Sequence, residues 1–370
     1  MAFPNLDTGG LWLGRVEREG IGPCVVTFRD GQLLDITSKE APTVRDIVER
    51  DDAADYTRSA PGETLGPLDA GHQWLAPCDL QAVKACGVTF AGSMVERVIE
   101  EQAAGDPAKA DAIRSRIGAR IGDSLTNIVP GSDAAERAKE ALITEGLWSQ
   151  YLEVGIGPDA EVFSKAQVLS SVGFGADVGL HPISTWNNPE PEVVLAVSSQ
   201  GQIKGATLGN DVNLRDVEGR SALLLSKAKD NNASCAIGPM IRLFDESFSL
   251  DDVRAAELTL TVTGPDGFEM QGHSSMAQIS RDPVDLVTQT IGRHHQYPDG
   301  IMLFLGTLFA PTQDRDAPGG GFTHKLGDIV TISNDKLGAL TNTVRLSTEC
   351  PEWKFGASHL MRNLARRGLI

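Results

Sequence analysis

The sequence predicts a mixed, β-rich α/β fold: a rolled or barrel-like mixed β core joined to a small N-terminal α+β domain. Three observations predict it. Residues 11–75 read as short strands and turns, and residues 93–148 carry helical periodicity. From about residue 150, short apolar or alternating runs are separated by turn residues, with few helices between them. A doubly wound parallel sheet would need helices alternating with those strands, so the mixed core fits better. With 370 residues the chain is long enough for a small domain, 1–75, and a larger one, 76–370, around a sizeable core.

The elements follow in order. Cys24-Val-Val-Thr-Phe28 before Asp30-Gly31 reads as a strand entering a hairpin turn. Gly62, Gly66, Pro67 and Gly71 mark a loop-rich exit near residue 75. Met94, Val95, Val98 and Ile99 make the apolar stripe of a helix at the start of the helical insertion, about 93–148. Ser93-x-x-Glu96 reads as a capping box opening that helix. Asp106-Pro107 opens the next, with an acid at the cap and proline at the first position, and Asp133 with Glu136 reads as another capped start. Val193–Val197 is a short apolar run, as in a buried strand. A turn at Gly201 and a return strand over Ile203–Leu208 follow. Leu258, Leu260 and Val262 alternate with threonines ahead of the turn Gly264-Pro-Asp-Gly267, and 328–333 with 340–344 read as a closing hairpin.

Charge and cysteine usage narrow the function classes. The formal net charge of −17 argues against nucleic acid and anionic membranes, which need clustered Lys and Arg. An organic acid would then need local positive charge, from a metal or from placed Lys and Arg. Five widely spaced cysteines without a Cys-x-x-Cys pair predict buried free thiols in a reducing compartment, so the cytoplasm. The segment Met1–Asp7 has neither a basic region nor an apolar run, so no secretory signal is expected, and no run of 18 apolar residues predicts a membrane span.

One constellation carries chemistry. In Asn187-Asn-Pro-Glu190-Pro-Glu192, two carboxylates two residues apart on an extended backbone point to one side, and the flanking prolines stiffen them. The return strand ends at Gly209-Asn-Asp211, so Asp211 can face both glutamates. Three clustered carboxylates repel one another, and a hard divalent cation removes that penalty. Oxygen-only donors favour Mg²⁺, Mn²⁺ or Ca²⁺, and three protein ligands leave positions open for substrate. Glu-x-Glu is equally what a solvated strand face carries, so spacing alone leaves both readings open.

The order of further motifs resembles the fumarylacetoacetate hydrolase family. These are Asn188-Pro-Glu-Pro-Glu-Val193, Gly209-Asn-Asp-Val-Asn-Leu-Arg-Asp216, Ala228-Lys229, Ile237-Gly-Pro239, Lys325-Leu-Gly-Asp328 and Leu337-Gly-Ala-Leu-Thr-Asn342. The resemblance covers about residues 78–345. It implies that family's mixed β-sandwich roll, with Mg²⁺ or Mn²⁺ on Glu190, Glu192 and Asp211. It also implies a pocket holding Lys229, with Thr307, Arg215 and Lys165 toward the substrate, and a homodimer or homotetramer. Hydrolytic members carry His-x-x-Glu on a lid helix; here Ser93 stands in place of that histidine, with Glu96 beyond it. A serine hydroxyl is no general base near neutral pH, which turns the expectation from hydrolysis to elimination. The segments 147–153 and 221–232 are similar to the branch that dehydrates 2-keto-3-deoxy sugar acids. That implies conversion of 2-keto-3-deoxy-D-xylonate to 2,5-dioxopentanoate, the base and proton donor being left open among Lys229, Glu96 and Ser93. The competing readings are an acylpyruvate-type C–C hydrolase and a non-catalytic metal-stabilised binding protein.

Overall fold

The apolar run after Glu192 folds as the strand Pro191–Val197, and every residue of it is buried. Alternation explains how a continuous apolar stretch is used. Val193, Leu195 and Val197 face one core, shared with Leu258, Leu260, Val330, Ile332 and Leu340. Val194 and Ala196 face a second core, shared with Leu13, Val25, Val44, Ile47 and Val48. A strand covered on both faces is apolar wherever its side chains enter those cores, and each buried Val or Leu contributes about 1.5–3 kcal/mol by leaving water.

The computed structural model describes the chain apart from residues 1, 2, 5, 115–127, 145, 308, 310 and 319. Among the described residues the strands form two sheets, one of eleven strands and one of five. The larger runs in spatial order Glu63–Gly66, Gln32–Asp35, Gly22–Arg29, Trp12–Arg18, Cys235–Leu243, Ile203–Asp211, Pro191–Val197, Ile301–Phe304, Ala82–Gly87, Glu161–Ala166, with Gln73–Leu75 also on Trp12–Arg18. Its pairs are antiparallel except Ile301–Phe304 with Ala82–Gly87. The N-terminal strands continue this sheet, since Trp12 pairs with Arg242 and Leu13 with Ile241. The helix Val44–Val48 covers its second face. The smaller sheet, Glu269–Ser275, Glu257–Thr263, Ile329–Asn334, Gly338–Leu346 and Asp177–Leu180, lies against the first face. The fold is therefore mixed α/β and β-rich, with two packed sheets.

Most expected elements appear within a few residues of their sequence limits, including the closing hairpin, Ile329–Asn334 with Gly338–Leu346. Two helix starts differ. The helix expected to open at Ser93 begins at Ala91, and no side chain caps it. The Ser93 hydroxyl instead donates to the Phe90 carbonyl at 2.9 Å, inside the first turn. The capping box is thus absent: the backbone becomes helical straight out of the turn after Ala82–Gly87, before a Ser-x-x-Glu box could form. Further on, Ser132 rather than Asp133 accepts from the helix backbone, from the Ala135 amide at 3.2 Å. The lid helix Ala91–Ala103 buries Met94 and Val98 against Leu142, Leu152 and Ile156 of the helices Asp133–Thr144 and Gln150–Ile156. Part of the expected helical insertion, 115–127 and 145, lies outside the described residues. No helix among the described residues is long and apolar enough to cross a membrane, and all five cysteines are buried free thiols.

Candidate metal centre and active site

Strand pairing assembles the carboxylates. Ile203–Asp211 runs antiparallel to Pro191–Val197 with Gly209 opposite Glu192 and Asn210 opposite Pro191. The Asp211 amide donates to the Glu190 carbonyl at 3.0 Å, and the Glu190 amide to Asn210 Oδ1 at 3.1 Å. This register carries Asp211 to the two glutamates. One oxygen from each of Glu190, Glu192 and Asp211 lies within 4.8 Å of the others, and all three residues are buried. In an octahedron with about 2.1 Å bonds, donor oxygens sit roughly 3 Å apart when adjacent and about 4.2 Å when opposite. The donor set therefore fits one small hard cation with little movement.

The surrounding charges fit it too. Lys229 Nζ reaches Glu190 Oε2 at 2.5 Å and Asp211 Oδ2 at 3.0 Å. Lys165 Nζ reaches Asp211 Oδ1 at 2.8 Å and also donates to the Val212 and Lys229 carbonyls. Arg97 bridges Glu190, Glu100 and Glu218, while Arg215 holds Glu100 from its other side. Six carboxylates (Glu100, Glu161, Glu190, Glu192, Asp211 and Glu218) thus meet four cations (Arg97, Lys165, Lys229 and Arg215). The acids outnumber the cations by two, and a divalent cation would offset two ionised carboxylates.

The cavity against the triad is lined by Cys86, Gly87, Val88, Ser93, Arg97, Glu161, Phe163, Glu218, Lys229 and Thr307 beside the three acids. Burial, reinforced by Asp211 and Glu190, raises the Glu192 carboxyl well above the usual range, although the Gly306 amide donates to it at 2.6 Å. Burial acts on Asp211 as well, but Lys165 and Lys229 outweigh it and hold its carboxyl low. The sequence expectation for Lys229 as a base needs its pKa lowered. Burial does push that way, yet Asp211, Glu190 and Glu218 prevail and the amine is held above its ordinary value, as an ammonium.

The structure gathers some of the expected site residues and not others. Ser93, Lys229 and Thr307 line the cavity with the triad. Lys165 lies directly behind Asp211. Arg215 is buried away from the cavity, donating to the Pro311 carbonyl at 2.8 Å and stacking near Trp186. Glu96 does not line the cavity and is engaged in a two-pronged pair with Arg114, at 2.8 Å for both bonds.

Among the cavity residues that the sequence left unassigned, two carry charge that bears on the chemistry. Glu161, at the start of an edge strand, lines the cavity, and burial together with the Glu218 charge pushes its carboxyl up to about 7. Gly87 makes room for it: a Cβ there would fall 1.9 Å from Glu161 Oε2. Arg97 on the lid helix is the other. Its spacing from Ser93 and Glu100, i−4 and i+3, put all three on one helix face, and that face meets the triad.

The chain is similar to known proteins in sequence and in fold. Residues 190–345 match the fumarylacetoacetate (FAA) hydrolase C-terminal family. Over 210 residues it is 29% identical to a protein of Haloferax volcanii named probable 2-keto-3-deoxyxylonate dehydratase, covering 57% of this chain and 68% of that one. Over 185 residues it is 30% identical to the 2-dehydro-3-deoxy-D-arabinonate dehydratase of Saccharolobus solfataricus, covering 50% of this chain and 58% of the relative. The fold matches a structure of 2-keto-3-deoxy-D-arabinonate dehydratase complexed with magnesium and 2,5-dioxopentanoate. That match has a TM-score of 0.62 and 21% identity over 90% of this chain and 99% of the other. It also matches a fumarylacetoacetate hydrolase from Exiguobacterium antarcticum, at a TM-score of 0.56 and 16% identity over 91% and 99%.

Proposed function

We propose that this protein is a Mg²⁺- or Mn²⁺-dependent hydro-lyase that converts 2-keto-3-deoxy-D-xylonate to 2,5-dioxopentanoate, in the non-phosphorylated oxidation of pentoses. One observation carries the reading. The buried triad Glu190–Glu192–Asp211 shares a single cavity with a carboxyl raised toward neutrality, Glu161, and an ammonium, Lys229, with Ser93 on its lid side. The two relatives named for dehydration of such sugar acids support the substrate class.

Glu190, Glu192 and Asp211 would hold a divalent cation, whose Lewis-acid charge would make the C3 proton of a bound 2-oxo acid more acidic. Glu161 accepts that proton: a carboxylate whose conjugate acid titrates near the working pH suits this role. Lys229, already an ammonium, gives a proton to the departing C4 hydroxyl, so water leaves rather than hydroxide. The C3=C4 alkene then loses a proton from C5 and takes one up at C3, and the resulting C4=C5 enol gains a proton at C4 to become the aldehyde of 2,5-dioxopentanoate. Thr307 and the Gly306 amide fix the wall beside Glu192, and the lid side chains keep bulk water out. This assignment replaces Glu96 with Glu161 as the base, because Glu96 is engaged by Arg114 outside the cavity. Residues 1–75 form the small N-terminal part of this reading and 76–370 the catalytic part, in a cytoplasmic homodimer or homotetramer. Light scattering at micromolar concentration tests the oligomeric state.

The direct test is a pair of incubations with Mg²⁺. 2-Keto-3-deoxy-D-xylonate should give 2,5-dioxopentanoate, while acylpyruvates should persist. Pyruvate from an acylpyruvate would favour a C–C hydrolase, and pyruvate from the sugar acid would favour an aldolase.

A further inference from the structure

The mechanism gives no task to Arg97, yet its guanidinium pairs with three carboxylates, more than any other cation of the site. One of its nitrogens lies 2.6 Å from Glu190 Oε1, the other 2.6 Å from Glu100 and 2.9 Å from Glu218. Lys229 holds the second oxygen of Glu190, so both oxygens of one triad carboxylate carry cation partners.

These two cations come from different places. Lys229 lies in the buried segment that leads into the central strand Cys235–Leu243. Arg97 belongs to the lid helix, which follows a strained joint. Val88 sits at φ +58, in the left-handed region that β-branched residues seldom adopt, three residues before the helix begins. Val88 also lines the cavity. Such outliers concentrate where segments move, because the surroundings must hold them in place.

We infer that Arg97 is a positioning residue that latches the lid helix to Glu190 and competes with the divalent cation for that carboxylate, so that metal occupancy and lid position are coupled. The inference rests on the metal reading of the triad. A dication on Glu190 repels the nearby guanidinium, which leaves Glu218 as the one carboxylate outside the lid helix that still holds Arg97, so the helix loses one of its two ties to the rest of the site. The coupling is reciprocal: whatever factor the latch costs in metal affinity, the metal costs in latching. The lid then loosens as the ion arrives, which opens the cavity for substrate.

Two measurements test it, neither of them turnover. In the unaltered chain, Mn²⁺ should speed amide exchange across Ala91–Ala103, with the central strand Pro191–Val197 unchanged. In a Mn²⁺ titration followed by electron paramagnetic resonance, Arg97→Gln should bind about tenfold tighter, and Arg97→Lys, which keeps the charge, close to the unaltered chain. Exchange of the lid helix in Arg97→Gln should be fast at the outset and indifferent to Mn²⁺. Unchanged lid exchange in the unaltered chain overturns the latch without any variant, as does equal or weaker Mn²⁺ binding by Arg97→Gln. A chain that does not bind Mn²⁺ at all overturns the metal reading and the latch together.

Discussion

The floor and the lid of the site are built by different physics. The floor is two central strands whose ladder hydrogen bonds fix the register, so Glu190, Glu192 and Asp211 are held by backbone geometry with apolar cores on both sheet faces. The lid is a helix on a strained joint, packed by its own small apolar cluster and tied to the floor through Arg97. Donor positions on strands cannot drift without breaking the sheet, whereas a helix held by ion pairs can shift as those pairs are exchanged. Under the proposed function, the charge for a 2-oxo acid belongs to the floor, and what would separate elimination from hydrolysis belongs to what faces the floor: Ser93, Glu161 and Lys229.

This division can be broken at graded cost. Glu190→Gln removes a floor ligand and leaves Lys229 and Arg97 without their shared partner. Dioxopentanoate formation should fall at least about 10²–10³-fold, with Mn²⁺ affinity lost in the same titration. Glu161→Gln keeps the floor and removes the base, so kcat should fall about 10²–10⁴-fold with Mn²⁺ affinity preserved. In the unaltered chain the rate should rise with pH through about 7 as Glu161 ionises, and the residual rate of the variant should lack that rise. Gly87→Ala pushes the Glu161 carboxyl aside without touching its chemistry. Up to about 10²-fold in kcat should go, the KM for substrate moving little.

The smallest effect lies outside both regions. His324 is buried 3.0 Å from Asp328, which also pairs with Arg315. Burial lowers its pKa despite Asp328, so the folded chain binds this proton less readily than the unfolded chain does. The stability it contributes is present above the ordinary value of 6.5 and is lost as pH falls below it. Thermal melts between pH 7 and 5 should show a shallower loss in His324→Gln.

Legibility in the sequence follows the same line between floor and lid. Glu-x-Glu before an apolar run and Asn-Asp after its return strand are local patterns, and the strands they predict are the strands that form. Lys229 and Thr307 came from the resemblance of neighbouring motifs, and both line the cavity. Arg97 was illegible because Glu96, Glu100 and Glu101 surround it, and an Arg three or four residues from acids reads as a solvated helix face. Glu161 was illegible because an acid at a strand's first residue is ordinarily exposed. Only the sheet order, which sets Glu161–Ala166 beside Ala82–Gly87, carries it to the triad's cavity. Ser-x-x-Glu misled for the opposite reason: a strong local signal lost to a backbone that turned helical two residues earlier.

The claim at the centre is that a metal on the floor and an acid–base pair facing it perform an elimination. Proton magnetic resonance of 2-keto-3-deoxy-D-xylonate with the purified chain tests it most directly. The account predicts the aldehyde signal of 2,5-dioxopentanoate in the presence of Mg²⁺, its suppression by a chelator, and its return when Mg²⁺ is restored. Aldehyde formed at the same rate with the chelator present, or pyruvate in its place, would contradict it.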